Sequence, residues 1–183
     1  MKYRVKKGTA IDDIRKYLSP VIKYGEEKQR KNMTDDWDEL KHTLRWLEKI
    51  LDAINRDDGD ILDIYYLEEN AQIIGALFVL SGNKSLKESL ASDGVFPSTD
   101  HIAQLTCFHI IETYRGRGIG RRWIENEVFR DLKLCGVQKV YIKSSHHQAL
   151  RLYEKIGTVV GNYIGVSDHE LYQRYGYIFE IDL

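Results

Sequence analysis

The sequence predicts an α/β fold, and three stretches carry that reading. First, an apolar strand-like run from Ile102 to Ile111 leads through a glycine-rich string into a helix-like run, Arg121 to Cys135, and on to a second apolar run, Val140 to Lys143. Right-handed crossover makes the two strands of such a unit parallel. Second, Ile61 to Leu67 and Gln72 to Leu80 are separated only by Glu68-Glu69-Asn70-Ala71 and read as an antiparallel hairpin. Third, Trp37, Leu40, Leu44, Leu47, Leu51 and Ile54 recur at three- and four-residue steps. They form one apolar stripe on a long helix, which calls for a sheet to pack against.

The remaining elements follow in chain order. Lys2 to Lys6 alternates around Tyr3 and Val5, a short first strand. Thr9 and Asp12 give a helix-start signal, Ile11, Ile14 and Leu18 mark one helical face, and Pro20 ends it. Gly25 to Asn32 is a charged loop, and Thr34 is the expected cap of the long helix. Asp35, Asp36, Asp38 and Glu39 crowd that helix start. They either compensate the helix dipole or form an acidic wall that attracts a cationic amine. Ser81 to Asp100 is polar, with a helical turn near Leu86 to Leu90, and its length suggests a flap beside a pocket. Ile124, Val128, Leu132 and Cys135 share one face of the helix after the glycine string, and Gly136 is its expected C-cap. Gln148 to Ile156 is a short helix stopped by Gly157, and Thr158 to Gly165 and Tyr175 to Ile181 are the last strands, antiparallel to each other.

Composition narrows the class. A chain of 183 residues with 43% hydrophobic and 30% charged side chains predicts one globular domain, residues 1–183. A net charge of −1 argues against a general nucleic-acid binder. Cys107 and Cys135 form no metal or disulfide spacing and read as core thiols of a reducing compartment. No signal peptide is visible and no apolar run approaches 18 residues, so the expectation is a soluble cytoplasmic protein with no membrane partner.

The chemistry gathers at Tyr114-Arg115-Gly116-Arg117-Gly118-Ile119-Gly120-Arg121-Arg122. Glycines admit positive φ and close approach of a ligand to the main chain. A helix that starts here offers free amides and a positive dipole end to an anion, and arginines suit phosphate oxygens. The chain has no Gly-Lys-Ser or Gly-Lys-Thr, which excludes a P-loop. Gly116 and Gly118 fit the first two positions of a dinucleotide G-x-G-x-x-G, but the third falls on Arg121. Arg115, Gly118 and Gly120 complete the pattern [R/Q]-x-x-G-x-[G/A]. Downstream, His146 to Gly157 matches N-x-x-A-x-x-L-Y-E-K-x-G at Ala149, Leu152, Tyr153, Glu154, Lys155 and Gly157, with His146 where the pattern has Asn.

With these two motifs in this order the chain resembles the GNAT superfamily of acetyl-CoA-dependent N-acyltransferases, well over roughly residues 61–183 and loosely before that. The resemblance implies a mixed central sheet with a splayed parallel pair and helices on both faces. It implies acetyl-CoA as cofactor, and backbone groups around Phe108, His109 and Ile110 facing its pantetheine arm. Arg115, Gly116, Arg117, Gly118, Ile119, Gly120 and Arg121 would take the phosphates, and His146, Ala149 and Tyr153 would line the other wall. By family position Tyr153 is the general acid for the departing thiolate. Its helix face with Ala149, Leu152 and Ile156 is also apolar, which suits a core tyrosine.

The family's usual glutamate base, about 13 residues before the motif arginine, is replaced by Ile102. His101 and His109 are the candidate bases, with water or a low-pKa amine as alternatives. The acceptor implied is a small-molecule or peptide amine, cationic if the acidic helix start faces it. GNAT domains are often dimers, so a homodimer belongs to the expectation. No activated Ser or Cys motif occurs, which agrees with direct transfer. A non-catalytic acyl-CoA-binding module is the alternative reading, and a Rossmann oxidoreductase the third.

Overall fold

The computed structural model describes residues 2–6, 61–82, 85–166 and 173–183. The long helix, the acidic residues 35–39 and the stretch 167–172 lie outside these residues. Among the described residues one sheet has seven strands in the order β1-β2-β3-β4-β5-β7-β6. They are β1 (Lys2–Lys6), β2 (Ile61–Glu69), β3 (Gln72–Ser81), β4 (Ile102–Ile110), β5 (Lys139–Ser144), β6 (Thr158–Val166) and β7 (Gln173–Asp182). All neighbours are antiparallel except β4 and β5, which are parallel.

The β2–β3 hairpin is tighter than the sequence suggested. Asn70 and Ala71 alone make the turn, both left-handed (φ 51° and 62°). Two left-handed residues match the twist of the flanking strands, so pairing extends to Glu69 and Gln72.

Helices cover both faces of the sheet. α1 (Ser85–Ser92) lies on one face, where Leu86 and Leu90 are buried against Ile102, Tyr141 and Ile178. The segment read as a flap is therefore a packed element. Lys143 Nζ donates to Ser89 Oγ (3.1 Å) and pairs with Asp93, and Thr99 donates to Gln138 (2.8 Å). Burying two leucines contributes about 1.5–3 kcal/mol each, more than a loose flap would hold.

On the other face, α2 runs from Ile119–Trp123 through a π-helical stretch, Ile124–Val128, to Phe129–Leu134. α3 (His147–Tyr153) follows β5. Trp123, Ile124, Val128 and Leu132 of α2 pack with Leu77, Leu105, Ile142 and Phe179 of the sheet. α2 starts at Ile119, two residues earlier than the periodicity indicated, so the last glycine of the motif is helical.

α2 ends in a Schellman motif. Gly136 is left-handed (φ 85°), Val137 N–H donates to the Leu132 carbonyl (3.0 Å) and Gly136 N–H to that of Lys133 (3.0 Å). Cys135 is the C-cap and is exposed, so it is not a core thiol.

Candidate active site

β4 and β5 are paired only from Ile102↔Lys139 to Leu105↔Ile142, although β4 continues to Ile110 and β5 to Ser144. Beyond that point the two parallel strands separate. The cause lies on the β3 side. Ala76 opposes His109 and Phe78 opposes Thr106, so Cys107 and Phe108 share one partner, Leu77. This is a β-bulge with Cys107 in left-handed geometry (φ 52°). The extra residue bends β4 and changes which side chains face α2. Ala103 and Leu105 do so before the bulge, Phe108 and Ile110 after it.

The glycine string follows directly. A 3₁₀ turn, Glu112–Tyr114, leads into Arg115, whose Nε–H donates to the carbonyl of Ile110 (2.7 Å). The motif arginine thus ties the loop to the end of β4. The three glycines do different jobs. Gly116 and Gly118 are left-handed (φ 75° and 70°), while Gly120 lets α2 approach β4. A Cβ on Gly120 would stand 2.7 Å from Phe108 and 3.2 Å from Ile110. Gly118 is the N-cap of α2 and provides no side chain to cap it. The first intrahelical bond runs from Arg122 N–H to the Gly118 carbonyl (3.1 Å), and the amides of Ile119, Gly120 and Arg121 precede it. This is the cradle an anion needs: uncapped amides at the positive end of a helix, beside a turn with no side chain in the way.

The opposite wall comes from β5 and α3. His146 is the N-cap of α3, and its own amide donates to Ser144 Oγ (3.3 Å). Its imidazole makes no cap bond, which is how it differs from the Asn of the motif, a preferred capping residue. Ala149 is half-buried against the core. Tyr153, the last residue of α3, is 4% exposed and its ring lies 5.7 Å from that of Phe179. Burial raises its hydroxyl pKa well above the ordinary tyrosine value, with smaller contributions from Cys107 and Tyr163.

The candidate bases separate. His101 is exposed at the start of β4, where its carbonyl accepts Gln138 N–H (2.8 Å). His109 is eight residue steps further along the strand, about 26 Å away, so His101 is remote from the splay. His109 lies in the splayed half of β4. Its pKa is pushed down to about 4, by burial first and then by the charges of Arg115 and His146. It is neutral at neutral pH and only weakly basic.

A stability consequence follows for His109. An unfolded histidine takes up its proton near pH 6.5. The folded chain resists protonation of His109 down to about pH 4. Above pH 6.5 the group is neutral in both states and does not affect stability. Between those limits the unfolded chain binds more protons, so stability falls as the pH is lowered. His109→Gln is expected to flatten this part of the profile in urea titrations from pH 7 to 4. A parallel slope in variant and wild type would disprove the assignment.

A bulged strand splayed from its parallel neighbour, ahead of an anion cradle, defines an α/β protein suited to an extended ligand that carries phosphate. Comparison places it more closely. Residues 24–158 match the family model "Acetyltransferase (GNAT) family", and the chain belongs to that family. It is accordingly an acyltransferase, with acetyl-CoA as its co-substrate.

No curated protein matches the sequence. Among solved structures it is similar to a probable acetyltransferase from Staphylococcus epidermidis (13% identity, TM-score 0.63, covering 99% of this chain and 98% of that one). It is also similar to a ribosomal-protein-alanine N-acetyltransferase from Brucella melitensis (17%, 0.59, 98% and 99%). An N-acetyltransferase from Staphylococcus aureus is similar too (12%, 0.56, 100% and 99%). These likenesses establish the fold.

Two features of the site had no readable signal in the sequence. A cysteine in left-handed geometry is unusual, so nothing marked Cys107 as the bulge. Phe108 became visible as the packing partner of Gly120 only once β4 and α2 were in contact.

Proposed function

We propose that the protein transfers the acetyl group of acetyl-CoA directly to a primary amine, without a covalent enzyme intermediate. The observation that carries this is the parting of β4 from β5 beyond Leu105 and Ile142, immediately ahead of the left-handed Gly116–Gly118 turn. The co-substrate supplies an activated acetyl thioester. The chain's part is to hold and orient it. Amides of Ile119, Gly120 and Arg121 hold the phosphates. Backbone groups of Phe108, His109 and Ile110, outside the β4–β5 ladder, border the gap. Fixed N–H donors there suit an oxygen that gains charge during acyl transfer. Tyr153 keeps its proton at working pH and stabilises the departing thiolate through a hydrogen bond.

The amine must lose a proton to attack, since an unperturbed lysine-type amine has a pKa of about 10.4. His109 is neutral but weakly basic, which favours water or an acceptor of low pKa in that role. We assign the acceptor as a small-molecule or peptide amine, with a preference for cations based on Asp35, Asp36, Asp38 and Glu39. We further propose a single domain spanning residues 1–183, a cytoplasmic location in keeping with two cysteines at no disulfide or metal spacing, and a homodimer as assembly. Among the described residues no helix is long and apolar enough to cross a membrane.

Release of free thiol from acetyl-CoA in the presence of an amine panel tests the activity. Amine-dependent thiol release above the no-enzyme rate is the expected result. Tight CoA binding with no turnover on any amine would instead support a non-catalytic acyl-CoA-binding module. The feature favouring that second reading is the weak basicity of His109 on a strand whose usual glutamate position holds buried Ile102.

A further inference from the structure

The glycine loop carries Arg115, Arg117, Arg121 and Arg122, and the structure divides them into two pairs. Arg115 turns its Nε–H to the Ile110 carbonyl (2.7 Å). Arg121 closes an ion pair with Glu125 one helical turn on (3.0 Å). One is committed to the fold and the other is electrically offset. Arg117 and Arg122 meet no carboxylate among the described residues.

Both of these arginines are placed by their surroundings. Arg117 lies with Cζ 5.7 Å from the centroid of the Tyr114 ring, and Tyr114 is itself bonded to Glu69 of the hairpin. The ring orients the guanidinium without cancelling its charge. Arg122 is in the first turn of α2, with one guanidinium nitrogen 3.2 Å from where a Cβ on Gly118 would stand. Two uncancelled guanidinium groups thus flank the left-handed Gly118 in sequence.

CoA carries anionic charge in two chemical forms, a pyrophosphate diester and a 3′-phosphate monoester on the ribose. Uncharged amides at a helix start suit the pyrophosphate. A monoester with a second pKa of about 6 is largely dianionic at neutral pH and is matched best by guanidinium groups. With a net charge of −1 the chain has no general field to attract such a ligand, so the attraction has to be local.

We propose that Arg117 and Arg122 form a subsite that reads the 3′-phosphate monoester, so that the protein selects CoA over ligands carrying the pyrophosphate alone. The inference rests on the acetyl-CoA reading above. Arg115, the arginine that defines the motif, is left to hold the loop.

Calorimetric titration of the full chain with CoA and with 3′-dephospho-CoA, at about 150 mM salt, tests it. Wild type is expected to bind CoA at least about tenfold more tightly, the size of a charge-assisted contact. In Arg117→Gln/Arg122→Gln, CoA affinity should fall to that of dephospho-CoA while dephospho-CoA affinity hardly changes. Arg130→Gln, an exposed arginine paired with Glu127 further along α2, should keep the wild-type preference. Circular dichroism on each preparation confirms that the fold is retained, and the single variants Arg117→Gln and Arg122→Gln serve if the double variant does not fold. Equal wild-type affinities for the two ligands would overturn the inference while leaving acetyl-CoA use intact. So would a preference that survives the double substitution, or an equal loss for both ligands. Wild type binding neither ligand would remove the acetyl-CoA reading itself.

Discussion

Gly118→Val is expected to lower CoA affinity by at least about a hundredfold while the protein stays folded. A β-branched residue resists the left-handed region, where a non-glycine residue costs about 1–2 kcal/mol. Gly118 sits there at φ 70°. The cost in stability should stop near that figure, because the nearest atom to a new Cβ is the tip of Arg122, a flexible side chain that can move (3.2 Å). The cost in binding should be larger. The valine side chain would occupy the approach to the uncapped amides of Ile119, Gly120 and Arg121, and relaxing its φ would turn those amides away. Gly120→Val would be a poorer probe, since a Cβ there meets Phe108 at 2.7 Å and disturbs the core as well as the loop. Arg115→Ala should weaken binding less, because the amides remain. Calorimetry with CoA and a thermal melt on the same sample decide the matter. A Gly118→Val protein with an affinity within threefold of wild type would show that this turn does not hold the phosphates.

Tyr153→Phe is expected to reduce kcat about ten- to a hundredfold, with the KM for acetyl-CoA and the melting temperature nearly unchanged. The ring stays, and with it the contact to Phe179. General acids typically contribute about 10²–10⁴-fold. Two effects place Tyr153 at or below the lower end. A thiolate of pKa about 8.5 leaves with little help. Burial holds the tyrosine proton more tightly than usual, which favours a hydrogen bond to the thiolate over complete transfer. Tyr153→Ala is the companion variant. It removes a side chain that is 4% exposed and should cost about 3–5 kcal/mol of stability whatever the hydroxyl does. If Tyr153→Phe turns over at the wild-type rate while Tyr153→Ala is destabilised, the residue is a core tyrosine and the thiolate is protonated by water.

Much of the fold was legible because local patterns and tertiary demands agreed. β1 matched its predicted residues, β2, β3 and β5 needed only small extensions at their ends, and β4 stops one residue short of the expected Ile111. The hairpin needed two left-handed residues, and Asn70 tolerates that geometry while nothing marked Ala71. Gly136 ended α2 as expected, since glycine pays no Cβ penalty in the left-handed region. The illegible parts share one cause, a local conformation imposed from outside the segment. A π-turn over Ile124–Val128 interrupts α2, and no residue type encodes one; Cys135 is exposed as the C-cap that ends the helix. Ser81 to Asp100 looked polar by composition, yet Leu86 and Leu90 suffice to bury α1 once Tyr141 and Ile178 are beneath them.

The candidate site divides in the same way. Two short motifs in the right order pointed to an acyl-CoA protein, because glycine positions and the spacing to Tyr153 are properties of the chain itself. The sequence by itself determined the order of strands and helices, the glycine turn ahead of α2 and the family. Tertiary structure decided which groups stand in the site. It separated His101 from His109 by the length of a strand, and it turned Arg115 inward and offset Arg121 with Glu125. It also buried Tyr153 against Phe179. The physical reason is that charge, burial and a bulge in β4 depend on partners distant in sequence, and a one-residue slip in pairing changes which side chains face the helix.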